Sequence, residues 1–187
     1  MIYDLNGKRK YLTKSERERF MQMATRQAGG VETFCLTLAY TGARISEVLA
    51  LRASNVDMDA GLIVIESLKK RRRGVFRQIP VPSGLLHKLA IEHSLATAPL
   101  DAMLWRWSRT TAWKQVKMIM HEAEVPTFCS SPKGLRHSFG VVGVSEAQIP
   151  LNMMQKWLGH ARIETTAIYA NAVGSEERVI ASRMWIS

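Results

Sequence analysis

Cysteine is nearly missing: Cys35 and Cys129 are the only two in 187 residues. They stand far apart and outside any metal-binding spacing, so neither a disulfide framework nor a zinc site is supported. Reduced, buried cysteines are expected instead. Long apolar runs are missing too. A stretch such as Val31 to Tyr40 falls well short of the roughly 20 residues that cross a bilayer, so no transmembrane helix and no membrane partner are expected. The opening residues, Met1 to Tyr11, are charged and lack the apolar centre of a signal peptide. Acidic side chains are scarce beside basic ones, 16 against 26, for a net charge of +10. That imbalance favours a polyanionic partner, DNA or RNA before membrane. Internal repeats and low-complexity segments are absent as well. What is present is a chain 47% hydrophobic, enough for one substantial core.

Periodicity and punctuation predict a mainly α domain with a small antiparallel β-hairpin. Thr13-Lys14-Ser15-Glu16 reads as a capping box, starting a helix from about Lys14 to Arg26. Gly29-Gly30 ends it, Glu32 to Tyr40 forms a buried second helix, Thr41-Gly42 breaks it, and Ile45 to Leu51 starts a third. Leu62 to Ile65 and Phe76 to Val81 read as paired strands around the basic turn Lys69 to Gly74. Ser83 is expected to cap a helix carrying Leu85, Leu86 and Leu89, and Arg109 to Glu124 a helix with Trp113, Val116 and Met120 in the core. Trp105, Trp107, Trp157 and Trp185 are also expected in the core. Pro126 to Pro132 reads as a loop. Helices follow from about Lys133 and from Pro150, with Pro150 in a first turn. Gly159 stops the latter, Ile163 to Ala170 forms a short helix bearing Tyr169, and Glu176 to Trp185 a last one.

Three segments carry the chemistry. Thr41-Gly42-Ala43-Arg44-Ile45-Ser46-Glu47 comes first, Lys133-Gly134-Leu135-Arg136-His137-Ser138-Phe139 second, and Leu158-Gly159-His160 with Tyr169 nine residues on is third. Breaking a phosphodiester needs a nucleophile, donors for the charge on the non-bridging oxygens, and an acid for the leaving alkoxide. Arginine forks meet the second need. A lysine meets the third, and a tyrosine can conserve the bond energy as a phosphotyrosine. Taken singly, each residue has a plainer structural role. Arg44 and Arg136 can be ion-paired, Lys69 one of a solvated run, His160 a helix-terminus histidine, and Tyr169 an amphipathic core residue with its hydroxyl at the surface. It is the combination, in order and spacing, that points to strand exchange.

At these residues the chain resembles the tyrosine recombinase family of integrases and invertases, from about Tyr11 to Trp185. The resemblance implies that fold for residues 13–174, after a lead of residues 1–12. Residues 175–187 then form a tail that docks on a neighbouring copy or folds back on its own domain. Arg44 and Arg136 become the paired arginines, with Glu47 supporting the first. Lys69 becomes the general acid to the 5′ oxygen, with Lys70 its rival in that turn. Arg71, Arg72 and Arg73 read as backbone phosphate contacts, or simply as solvated charges. His160 becomes a donor to a phosphate oxygen, Tyr169 the nucleophile, and His137 a packed neighbour of the site.

Lys133 stands where many members carry histidine. It has only donors, so it suits neutralising phosphate better than accepting the tyrosyl proton.

The implied partners are double-stranded DNA, a homo-oligomer (a tetramer) on it, and accessory DNA-bending or partner recombinase proteins. The implied product is a 3′-phosphotyrosine on the way to a Holliday junction, with no metal or nucleotide cofactor. The setting is the prokaryotic cytoplasm, near the nucleoid, in service of DNA integration, excision, resolution or inversion. The DNA-clamping domain of most members is not expected before residue 13, so the chain is either a small enzyme like the single-domain fimbrial phase-variation invertases or a catalytic fragment. Related uses of the same chemistry are a type IB topoisomerase and a telomere resolvase. A rival of another class is a basic, non-catalytic DNA-binding regulator.

Overall fold

The structure, a computed structural model, describes residues 2–68, 74–170, 181, 182, 184 and 185. The capping box forms as expected. Thr13 Oγ1 accepts from the Glu16 amide at 3.3 Å, and Glu16 Oε2 accepts from the Thr13 amide at 2.8 Å, opening α1 over Lys14–Ala24. Arg9 closes the same carboxylate with an ion pair of 2.5 Å. The next helix, α2 over Val31–Thr41, is the spine of the core, with Phe34, Cys35, Leu38 and Ala39 buried. Its buried threonines satisfy their hydroxyls along the helix: Thr37 donates to the Thr33 carbonyl at 2.7 Å and Thr41 to that of Thr37 at 2.6 Å. Gly42 ends it at φ +59°, and a Cβ there would lie 2.5 Å from the Phe139 ring.

Then come α3, Ile45–Leu49, a 3₁₀ turn Ala53–Asn55, and a three-stranded antiparallel sheet in the order β1 (Val56–Asp57), β2 (Leu62–Glu66), β3 (Phe76–Pro80). Its register sets Ile63 opposite Ile79 and Ile65 opposite Arg77. Ile63, Ile65, Arg77 and Ile79 thus share the inward face, while Phe76 points out. The sequence anticipates the hairpin of β2 and β3; β1, two residues long, carries too little pattern to be read.

Four longer helices complete the layer: α4 (Ser83–Glu92), α5 (Arg109–Glu122), α6 (Pro132–Val141), which runs on into a π-helical turn Val142–Glu146, and α7 (Leu151–Leu158). A short α8, Glu164–Ala167, follows. None of the described helices is long and apolar enough to cross a membrane. Both cysteines are buried and free.

Several local expectations shift by a residue. Pro82, not Ser83, caps α4: its fixed φ of −60° and extended ψ already end the strand, so Ser83 becomes the first helical residue. Pro150 likewise sits at the cap of α7 rather than within its first turn. Trp113 is 46% exposed, because α5 buries the stripe Ala112, Val116, Ile119 and Met120, and Trp113 lies one position round the helix. Trp105 is buried, Trp107 and Trp157 are half-buried at the core edge, and Trp185 is exposed. Tyr169 falls in the turn after α8, its amide bonded to the Thr166 carbonyl at 3.0 Å. The predicted helix Glu176 to Trp185 lies mostly outside the described residues.

The core has two parts. A large one joins α1, α2, α4, α5 and the sheet. A smaller one gathers Ile2, Tyr11, Val141, Met154, Leu158 and Tyr169, with Trp157 between the two. The site sits at that junction.

Candidate active site

Gly42 is the pivot. The chain turns sharply after α2, leaving Arg44 extended at the N-cap of α3. Glu47, one turn on, binds it twice: Oε2 accepts from the Arg44 amide at 2.9 Å and Oε1 from Arg44 Nη1 at 2.7 Å. Part of the Arg44 side chain remains open to solvent, while Glu47 is wholly enclosed. A buried carboxylate needs more than one donor. Arg77, reaching in from β3, supplies the next at 2.6 Å to Glu47 Oε2. Burial pushes the Glu47 carboxyl upward, but the adjacent Arg77 and Arg44 outweigh it and hold its pKa below the ordinary value. Arg77 in turn donates to the Ser67 hydroxyl at 3.0 Å and to the Trp157 carbonyl at 2.7 Å. One carboxylate therefore ties α3, the hairpin and the end of α7 together.

Arg136 comes from α6 and is pinned by backbone. Nη1 donates to the Gly42 carbonyl at 2.7 Å and Nη2 to the Leu158 carbonyl at 2.7 Å. Its Nη2 also lies 3.0 Å from His160 Nε2. A guanidinium has only donors, so His160 Nε2 is the acceptor and the imidazole proton sits on Nδ1. That nitrogen faces the Thr166 hydroxyl at 3.0 Å. Burial, then Arg136 and Arg44, push the His160 pKa down to about 4, which keeps the ring neutral at pH 7. Burial and the nearby Arg44 lower Arg136 to about 10, still charged at pH 7.

Tyr169 lies over this group and is only 1% exposed. The ring rests on the backbone of α6 at Gly140, where a Cβ would come within 2.6 Å of it. His160 stacks beside it, ring centres 6.2 Å apart and planes 20° apart. Its hydroxyl is not at the surface, as an amphipathic core tyrosine would place it; it meets His137 Nδ1 at 3.1 Å. Burial raises the phenol pKa against the lowering by Arg136 and Arg44.

The fold thus brings Arg44, Glu47, Arg136, His137, His160 and Tyr169 into one cluster from α3, α6 and the α7–α8 segment. Lys133 is exposed in the first turn of α6. Lys69, Lys70, Arg71, Arg72 and Arg73 lie outside the described residues. The chain on either side of them is drawn together: the Ser67 amide donates to the Val75 carbonyl at 2.8 Å, and the Gly74 amide to Glu66 Oε1 at 3.0 Å. A cavity of about 490 Å³, lined by Ser67, Phe76, Arg77, Gln155, Lys156 and His160, runs from the hairpin to the cluster. Among the described residues no group of His, Cys, Asp and Glu is placed to hold a metal ion.

Three residues that support the cluster escape the sequence motifs. Arg77 left a usable signal: strand alternation puts it on the face of Ile79 and so inward. Thr166 and Gly140 left none, because their contacts with His160 and Tyr169 are made only by the tertiary fold.

Comparison with known proteins gives concordant results. Residues 10–175 match the model of the phage integrase family. The tyrosine recombinase XerA of Thermococcus kodakarensis is 27% identical over 168 residues, covering 86% of this chain and 57% of that protein. A crystal structure of a XerA recombinase superposes with a TM-score of 0.79 at 23% identity, over 95% of this chain and 65% of that one. A XerH site-specific recombinase bound to its difH substrate superposes with a TM-score of 0.73 at 21% identity, over 98% and 60%. The chain spans about half the length of the curated relatives it matches.

Proposed function

Because the chain belongs to the phage integrase family, the tyrosine recombinases, we propose that it cuts and rejoins duplex DNA at specific sites through a phosphotyrosine on Tyr169. One observation carries the proposal: two arginines, a histidine and a tyrosine, distant in sequence, converge at one junction with a buried carboxylate behind them. In this account the Tyr169 oxygen attacks the scissile phosphorus and the bond to the 5′ oxygen breaks. That oxygen takes a proton from Lys69 (Lys70 is the rival), leaving a 3′-phosphotyrosine and a free 5′ hydroxyl. Attack by a partner strand's 5′ hydroxyl reverses the step without ATP and builds a Holliday junction. Arg44 and Arg136 hold the non-bridging oxygens; each such preorganised donor is worth about 3–4 kcal/mol of barrier.

His160 donates to the phosphate from Nε2 after its proton moves from Nδ1. Thr166 permits this, since its hydroxyl can accept from Nδ1 in one tautomer and donate to it in the other. Lys133 and the basic turn at residues 69–73 neutralise the DNA backbone.

Duplex DNA is the proposed partner, in keeping with the +10 charge and with the difH complex of the XerH neighbour. Assembly as a tetramer on DNA, with the tail docked on a neighbouring copy, is part of the proposal. The exposure of Met184 and Trp185 supports it.

The test is covalent capture. Sheared source DNA is incubated with protein and quenched in detergent, and the protein-bound fragments are sequenced. Enriched fragments that vanish with Tyr169→Phe are expected. A basic DNA-binding regulator would give no adduct from either protein, even on a nicked junction substrate.

A further inference from the structure

We propose that His137 is the group that accepts the Tyr169 proton, through Nδ1, as the tyrosine attacks phosphorus. The inference rests on the phosphotyrosine reading above. Its basis is a contact with the reacting atom itself: among the described residues, the hydrogen-bond partner of the Tyr169 hydroxyl is His137 Nδ1, at 3.1 Å.

One turn of α6 organises the arrangement. Arg136 bonds the Gly42 and Leu158 carbonyls and meets His160, His137 follows it, and Gly140 three residues on gives the tyrosine ring a seat. A phenol is a strong donor and a weak acceptor, and a neutral imidazole nitrogen is a strong acceptor, so the bond runs from O–H to Nδ1. The ring is neutral at rest. Burial first, then Lys133 and Arg136 on its own helix and Lys10 on the N-terminal segment, push its pKa down to about 4. His160 and Tyr169, the titratable groups facing it from the α7–α8 segment, carry no negative charge at pH 7. The other nitrogen, Nε2, is buried and has no hydrogen-bond partner among the described residues. Among the described residues no carboxylate therefore fixes an imidazolium in advance, and the proton stays on the phenol until chemistry draws it off. An arriving phosphate anion offsets the cations that depress the ring, which raises its basicity when it is needed.

Other candidates in the cluster are committed elsewhere. His160 Nε2 accepts from Arg136, and the Thr166 hydroxyl faces His160 Nδ1. Lys133 is exposed on the first turn of α6, with donors only while it is charged. The step balances without any further reactant. The O–H proton moves to Nδ1 as the oxygen–phosphorus bond forms. The electrons of the breaking bond go to the 5′ oxygen, protonated by the lysine. On rejoining, the imidazolium returns its proton to the departing phenolate.

The test is single-turnover cleavage of captured DNA bearing a bridging 5′ phosphorothiolate, whose thiolate leaves without a proton. The rate then reports on the nucleophile alone. His137→Ala and His137→Gln are compared with the unaltered protein, with thermal melting and DNA binding measured in parallel. General-base loss of this kind costs about 100-fold or more. Both variants are expected to slow by that order and to regain rate as pH rises toward the phenol's own ionisation. Added imidazole should rescue His137→Ala, more basic imidazoles rescuing it better. Three results overturn the proposal: unchanged rates and pH profile, faster cleavage (His137 then merely restrains the tyrosine), or slowing that neither pH nor imidazole relieves. No Tyr169-dependent adduct even from the unaltered protein overturns the phosphotyrosine reading instead.

Discussion

Arg77, almost wholly buried, is the residue on which the site's geometry depends. It and Arg44 share the buried carboxylate of Glu47. Removing one partner of a buried pair leaves an uncompensated charge. Arg77→Met is therefore expected to cost about 3 kcal/mol in urea denaturation, at the lower end of the range for such pairs because Arg44 still holds one oxygen. A cost below about 1 kcal/mol would show that Arg44 suffices alone. Arg44, Glu47, Arg136, His160 and Tyr169 were legible because each sits in a local motif whose spacing survives in one dimension. Arg77 sits in no such motif. Its identity suggests solvent, although alternation with Ile79 along the strand already puts it on the inward face, as the pairing of Ile65 with Arg77 and Ile63 with Ile79 bears out.

At the scale of elements, α6 is the organising helix. Ser131 caps it, accepting from the Gly134 amide at 3.0 Å, with Pro132 in its first turn. Arg136, His137 and Gly140 then project toward Tyr169 and the α7–α8 segment. Gly140→Ala probes that packing. Alanine favours a helix by about 1 kcal/mol, yet here its methyl would meet the Tyr169 ring, so a net destabilisation of about 1–3 kcal/mol is expected. In a Tyr169→Ala background the cost should vanish, a double-mutant cycle that isolates the contact. Equal costs in both backgrounds would place the strain elsewhere. Helices with explicit punctuation were readable from sequence: α1 by its capping box, α2 between glycines, α7 by Gly159. The face of a helix was less so. For α5, Trp113 with Val116 and Met120 fits helical spacing as well as the true stripe through Ala112 and Ile119, and only the neighbouring elements decide between them.

At the scale of the whole molecule, charge and burial set the response to pH. His137 and His160 are lowered from 6.5 to about 4 by burial and neighbouring cations, and burial lowers His93 as well. Between those values the folded chain binds fewer protons than the unfolded one, so stability falls as pH drops from about 6.5 toward 4. Glu16 and Glu47, both held below their usual 4.5, add a further loss below that pH. Melting temperatures should decline between pH 7 and 5, above the range in which Glu16 and Glu47 take up protons, and less steeply in His137→Gln. A flat profile over that interval would contradict the burial of these rings. Composition pointed to the polyanionic partner proposed above and made the main core legible. It did not reveal that Ile2 and Tyr11 pack in the same small core as Tyr169, because that contact joins the two ends of the described domain.

The central claim is chemical: Tyr169 carries the DNA. The most direct measurement is peptide mapping of the detergent-resistant adduct. After nuclease and trypsin digestion, a nucleotide mass is expected on the peptide from Ile163 to Arg178, whose single tyrosine is Tyr169, with fragmentation placing it on that side chain. A nucleotide on any other residue, or an adduct that persists in Tyr169→Phe, would contradict the account.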